Sequence, residues 1–212
     1  MIVGAGPGVS GALAQIYGQE GARIALLGID QGALDEVSQR VSAAGGTAVS
    51  QLVDITDADG AKASIAALAA KLTPVDVLHF NPSTLREADP LTLTSDQLLA
   101  DVRLGVGSLL TVLQAVHPAL QRGSRITVTG SVAADKPWFG AASLGVQKAG
   151  VRNLVHSIDA RLKDDGIRAA SVTVHGLLSS EGSFTPAKVA QQLRAAIDQD
   201  ESDWRTEIDY LG

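Results

Sequence analysis

The sequence predicts an α/β fold, a doubly wound, mostly parallel seven-stranded sheet with helices on both faces. Three observations carry that prediction. Short β-branched runs alternate with longer Ala/Leu-rich segments whose apolar residues recur at helical spacing, as Val151, Leu154, Val155, Ile158 and Leu162 do. Glycine is frequent, 22 of 212 residues, without a collagen-like period, which points to tight turns and close backbone approach. Apolar residues make up 45% of the chain but aromatics only 3%, so the core is built from Ala, Val, Leu and Ile. Repeated strand–helix alternation requires right-handed crossovers, hence parallel strands covered on both sides.

The strands are expected at Met1–Val3, Arg23–Leu27, Thr47–Val53, Val75–Phe80, Arg125–Thr129, Arg168–Val174 and Glu207–Tyr210. Helices fill the intervals at Val9–Gln19, Gln31–Ala44, Ala58–Leu72, Ser95–Gln121, Ala141–Lys163 and Pro186–Gln199. The first strand is short against the usual ~5–6 residues. That fits either a truncated strand or native residues ahead of Met1. No internal repeat, low-complexity tract or linker interrupts the pattern, so residues 1–212 are expected to form one nucleotide-binding domain.

The net charge of −6 argues against nucleic acid or anionic lipid as a partner. No run approaches ~20 consecutive apolar residues, so no membrane span is expected. Met1-Ile2-Val3-Gly4 lacks the basic and apolar regions of a signal peptide, and the expected location is cytoplasmic. The absence of cysteine excludes disulfides and thiolate chemistry, and no His/Asp/Glu spacing suits a metal.

Chemistry concentrates at the first strand–helix turn. Gly4-Ala5-Gly6-Pro7-Gly8 follows the first strand and precedes a helix, the Rossmann-type setting in which glycines let backbone approach a pyrophosphate at a helix N-terminus. At the end of the second strand an acid would bind the adenosine ribose, and an arginine would accept a 2′-phosphate. Gly28 and Ile29 hold those positions uncharged, and Asp30, one or two residues later, serves equally well as a helix N-cap. The cofactor is therefore NAD or NADP, with the choice open.

With these motifs in place, the chain resembles the short-chain dehydrogenase/reductase family over nearly its whole length. Gly4-Ala5-Gly6-Pro7-Gly8 is similar to the family's glycine turn, with Ser10 where its last glycine is expected. Asp54-Ile55 resembles the pair that contacts the adenine ring, and Asn81 matches the second asparagine of the Asn-Asn-Ala-Gly strand end. The resemblance implies NAD(P)-binding by Gly4, Gly6, Gly8, Ser10, Asp54, Ile55, Asn81 and Lys148. It also implies a catalytic serine at Ser131 and a lysine at Lys148 that holds the nicotinamide ribose. The family's tyrosine, four residues before that lysine, falls on Leu144, and its helix asparagine falls on Gly105, counted back from Pro118.

Leucine has no proton to give, and general acid–base catalysis contributes ~10²–10⁴-fold. His175, which stands where the family's sixth strand ends in Pro-Gly, is the candidate replacement donor, with a loop histidine satisfied by backbone as the plainer reading. His79 lies inside a strand and reads as a core or sheet-face residue; His117 and His156 read as structural. Trp138-Phe139 suits substrate packing or a subunit contact equally. Leu177 to Thr185 is a short, polar version of the family's substrate lid. The expected function is an oxidoreductase with an altered active centre, the alternative a silent nucleotide-binding sensor or scaffold. The long helices imply a homodimer or homotetramer.

Overall fold

The structure, a computed structural model, describes residues 1–212. Seven strands form one sheet in the order β3-β2-β1-β4-β5-β6-β7. They are β1 (Ile2–Val3), β2 (Arg23–Gly28), β3 (Thr47–Leu52), β4 (Val77–Phe80), β5 (Arg125–Ser131), β6 (Arg168–Val174) and β7 (Glu207–Tyr210), and every neighbouring pair is parallel. Parallel pairing throughout makes the strands apolar on both sides, as in Ile24–Leu27, all buried.

The helices divide between the faces. α1 (Val9–Gln19), α2 (Gln31–Ala43) and α7 (Pro186–Ala195) bury Leu13, Leu34, Val37 and Leu193 against one side. α3 (Ala58–Leu72), α5 (Ser108–Val116) and α6 (Ala142–Leu162) cover the other with Ile65, Leu109, Val112, Val151 and Val155. The direction of winding reverses between β1 and β4, and an open α/β sheet binds its ligands beyond the strand ends at that reversal.

Several expected bounds need correction: α7 ends at Ala195 rather than Gln199, β5 runs on to Ser131 rather than stopping at Thr129, and two larger differences follow. The continuous helix expected over Ser95–Gln121 is α4 (Ser95–Val102), a π-helical turn at Arg103–Gly107, then α5 and a 3₁₀ turn at His117–Ala119. Gly105 and Gly107 weaken the α-helix there, and a π turn adds the residue that re-aims its neighbours. An 18-residue window within Ser95–Ala119 reaches a mean hydropathy of 1.4, but this segment is broken by the π turn and packs in the core through Leu109, Val112 and Val116. The fourth strand starts at Val77, not Val75, since Val75 instead donates its N–H to Ala119 O at 2.8 Å.

Candidate functional site

The glycine turn is shaped by contacts at its entrance. Gly4 has φ +76°, and a Cβ there would also lie 3.0 Å from the ring of Pro82. The N–H groups of Gly4 and Ala5 both donate to Leu27 O at 2.9 Å, tying the turn to β2. Gly6 and Gly8 face open space: a Cβ on either meets nothing within 4 Å. Gly8 is the N-cap of α1, and no side chain satisfies the first-turn N–H groups. Free donors beside unfilled space are what an anionic pyrophosphate requires. Ser10 is buried and donates to Gly4 O at 3.0 Å, so its side chain braces the turn from beneath.

A cleft of about 710 Å³ opens in front of this turn, with Gly4, Ala5, Gly28, Ile29, Asp30, Asp54, Ile55, Asn81, Pro82, Ser83 and Leu104 on its walls. It brings together Gly4, Asp54, Ile55 and Asn81 from separate strand ends. Asp54 accepts from Thr56 N at 2.9 Å and Thr56 Oγ1 at 2.6 Å. Those two bonds hold its carboxyl below the usual range, the hydroxyl's contribution being the larger. Asp30 caps α2 by accepting from Ala33 N at 2.8 Å, and it also lines the cleft.

Ser131 ends β5 and Lys148 lies in the first half of α6; neither is on the wall of that cleft. Ser131 Oγ accepts from Ala133 N at 3.2 Å, forming the strand-end turn. Lys148 is 7% exposed and donates to Thr129 O at 2.9 Å, while burial pushes its pKa from 10.5 down to about 8. Leu144 is half-buried one turn earlier on the same face of α6.

Several residues outside the sequence-based candidates hold this region together. Gln147, fully buried, accepts from Thr84 N at 3.1 Å and donates to Thr84 O at 3.0 Å. It fills the space over Gly105, where a Cβ would come within 2.6 Å of Gln147 Oε1. Arg86 makes a two-pronged ion pair with Asp101 at 2.8 and 2.9 Å, and Ser143 Oγ donates to the same carboxylate at 2.7 Å. Together they pin the chain after β4 to α4 and α6. The one sequence signal for this lock is Asp101, a carboxylate that follows Leu98-Leu99-Ala100 on α4, which burial obliges to find partners.

His175 is turned elsewhere. Its Nε2 lies 2.6 Å from Asp209 Oδ1 on β7, in a polar hollow of about 690 Å³ shared with Arg152, His156 and Glu207. That hollow and the cleft have no wall residue in common. His79 is fully buried in the sheet, 2.9 Å from Thr127 Oγ1, and burial, with the nearby positive N-terminus and Lys148, pushes its pKa down to about 3. Trp138 and Phe139 are 56% and 73% exposed. The segment after β6 folds back on β7, where Tyr210 Oη donates to Ser183 O at 2.6 Å and Phe184 meets the Tyr210 ring edge-on.

Comparison with known proteins bears on the fold and the family. An uncharacterized oxidoreductase of Listeria monocytogenes is 24% identical, the match covering 95% of this chain and 90% of that protein. A 3-oxoacyl-[acyl-carrier-protein] reductase of Chlamydia trachomatis is 23% identical over 79% of this chain and 69% of its own length. Among solved structures, a metagenomic short-chain oxidoreductase in complex with NADP superimposes with a TM-score of 0.87 at 24% identity, covering 99% of this chain and 95% of that one. An NAD⁺-bound xylitol dehydrogenase gives 0.86 at 20% identity, covering 98% and 95%. The model of the short chain dehydrogenase family matches residues 1–183, and the chain belongs to that family.

Proposed function

We propose that the protein is an NAD(P)-binding oxidoreductase whose acid–base centre is altered at Leu144, so that it handles substrates needing no proton at a carbonyl oxygen in the hydride step. The observation that carries this reading is the pairing of an open glycine cradle with leucine one turn before a buried lysine. The residues present fit a dinucleotide. A Cβ on Gly6 or Gly8 meets nothing, which leaves room for a pyrophosphate, and on this reading Asp54 and Ile55 serve the adenine end and Asn81 the nicotinamide end, with Lys148 buried behind the cleft wall.

The nicotinamide group, when bound, supplies or accepts the hydride. An activated C=C bond conjugated to a carbonyl suits the remaining side chains. Addition of hydride to its β-carbon places negative charge on the carbonyl oxygen, which the Ser131 hydroxyl and the Lys148 ammonium can stabilise. A lysine with its pKa near 8 holds its proton at neutral pH yet releases it readily. The α-carbon then takes a proton from Lys148 or from water. His175 is committed to Asp209, and no proton is routed through it here.

A second reading, a dinucleotide-binding sensor without turnover, is favoured by the bonding of Ser131 to Ala133 N and of Lys148 to Thr129 O. Activity assays with conjugated enones, ketones and alcohols separate the two. Turnover of enones alone supports the first reading, whereas binding without turnover of any class supports the second. Ketone reduction by the wild type would remove the role given to Leu144. Self-association as a dimer or tetramer through α4, α5 and α6 is part of the proposal, since Leu99, Leu110 and Val146 are 63%, 44% and 48% exposed. A monomer by light scattering would remove that part.

A further inference from the structure

We infer that Gln147 is a positioning residue for the nicotinamide end of the cleft: its side-chain amide pairs with the backbone of Thr84 and so fixes the wall segment Asn81–Ser83 against α6, where Lys148 is the next residue. The inference rests on the dinucleotide reading above and deepens it.

The chain that leaves β4 carries Asn81, Pro82 and Ser83 onto the cleft wall. Asn81 N donates to Val3 O at 3.0 Å, which continues the ladder to β1 by one step. Residues 82–87 then lie in no helix or strand, yet their exposure alternates. Thr84, Arg86 and Ala88 are half-buried, while Ser83, Leu85 and Glu87 are exposed. Each half-buried residue is fastened to α6. Thr84 meets Gln147, Arg86 reaches Ser143 through Asp101, and Ala88 O accepts from Ala142 N at 3.2 Å. An extended segment is thus held at alternate residues, as a strand would be, by a helix in place of a neighbouring strand.

The fastening next to the cleft is made by one side chain. Gln147 Oε1 accepts from Thr84 N at 3.1 Å and Nε2 donates to Thr84 O at 3.0 Å, the exchange of both backbone bonds that a paired strand residue makes. The other Nε2 hydrogen goes to Ser143 O at 3.3 Å. A fully buried amide with every hydrogen used has one orientation, and neither a carboxylate nor an aliphatic side chain offers both a donor and an acceptor to Thr84. Gly105, within the π turn, leaves the room: a Cβ there would lie 2.6 Å from Gln147 Oε1 and 2.9 Å from its Cγ. From the adjacent position Lys148 donates to Thr129 O at 2.9 Å. Two consecutive residues of α6 therefore tie it to the end of β5 and to the segment after β4. Releasing Thr84 frees Asn81–Ser83 from the helix and leaves the Lys148 bond in place.

The test uses the full chain. Gln147→Met preserves the length of the side chain and removes both bonds to Thr84. In hydrogen exchange read by mass spectrometry, peptides spanning residues 81–88 exchange about tenfold faster in this variant, with β5 and β6 unchanged. NADH, titrated by calorimetry, binds about tenfold more weakly, because the wall is no longer preorganised. Gln147→Glu adds a readout that loss of packing alone would not move. Its carboxylate cannot donate to Thr84 O, whereas the protonated acid, favoured by burial, donates one hydrogen. Relative to wild type at the same pH, its NADH affinity is depressed at about pH 7.5 and recovers about threefold or more by about pH 5.5, while that of Gln147→Met stays depressed. Should Gln147→Met fail to fold, the pH comparison in Gln147→Glu decides alone. Unchanged exchange over residues 81–88, undiminished NADH affinity in Gln147→Met, or no recovery in Gln147→Glu overturns the inference and leaves the dinucleotide reading standing. A wild type that binds neither NADH nor NADPH defeats that reading, and the inference with it.

Discussion

Replacing Lys148 by methionine should make the folded chain more stable while removing a ligand contact. The ammonium is 7% exposed and has one hydrogen-bond partner in the chain, Thr129 O. Burial alone accounts for the fall of its pKa from 10.5 to about 8, which at ~1.4 kcal/mol per unit is a cost of about 3 kcal/mol for carrying the charge at neutral pH. Methionine has a similar length, fills the same space and carries no charge. Leaving Thr129 O without that donor returns about 1 kcal/mol. The net gain is then about 2 kcal/mol, a rise of about 4–8 °C in melting temperature for a chain of this size.

The pH dependence makes this prediction specific. In the unfolded chain Lys148 titrates near 10.5 and in the folded chain near 8, so between those values the unfolded state holds more protons. Wild-type stability therefore gains from this group as pH rises through that window. The advantage of Lys148→Met is full below about pH 8 and fades toward pH 10.5. Urea unfolding of both proteins at several pH values reads this directly. A variant less stable than wild type at pH 7, or a difference that does not change with pH, would refute the reasoning.

Other substitutions bear on the same architecture. Gly105→Asn forces a Cβ against Gln147 and should cost about 1–3 kcal/mol in urea unfolding, with Gln147→Ala added in the same chain restoring part of the loss. Asp101→Asn weakens the lock among Arg86, Asp101 and Ser143 and should lower the melting temperature at neutral pH. The Arg86 bonds hold the Asp101 carboxyl below the ordinary 3.8, so its contribution is complete above the carboxylate range and is lost as pH falls below 3.8; the variant's deficit should shrink on acidification. Gly6→Val should change stability by no more than about 0.5 kcal/mol, because its side chain enters open space, yet abolish dinucleotide binding measured by fluorescence titration. Leu144→Tyr should gain about 10²–10⁴-fold in ketone reduction.

The sheet was readable because each strand announces itself locally. β6, β7, α1 and α3 have the bounds their residue patterns imply, and even the two-residue β1 is marked by the glycine turn behind it. The break in the long helix was harder to see. Gly105 and Gly107 are tolerated in many helices, and what opens the π turn here involves packing against Gln147, 42 residues downstream of Gly105. Within the cleft, Gly4, Asp54, Ile55 and Asn81 were legible since the ends of consecutive strands carry them to one edge. His175 was placed correctly at that edge, but its direction is set by Asp209, 34 residues away on a neighbouring strand. The Arg86, Asp101 and Ser143 lock has the same character: pairing between distant residues leaves no spacing to read.

The proposed function requires that the cleft at the glycine turn bind a dinucleotide and that this binding depend on Lys148, which is buried outside the cleft wall. Titration of NADH into the wild type and Lys148→Met tests it most directly. The account predicts saturable binding in the micromolar range by the wild type, weakened at least tenfold in the variant, whose fold is intact. No saturable binding by the wild type, or equal affinity in both proteins, would contradict it.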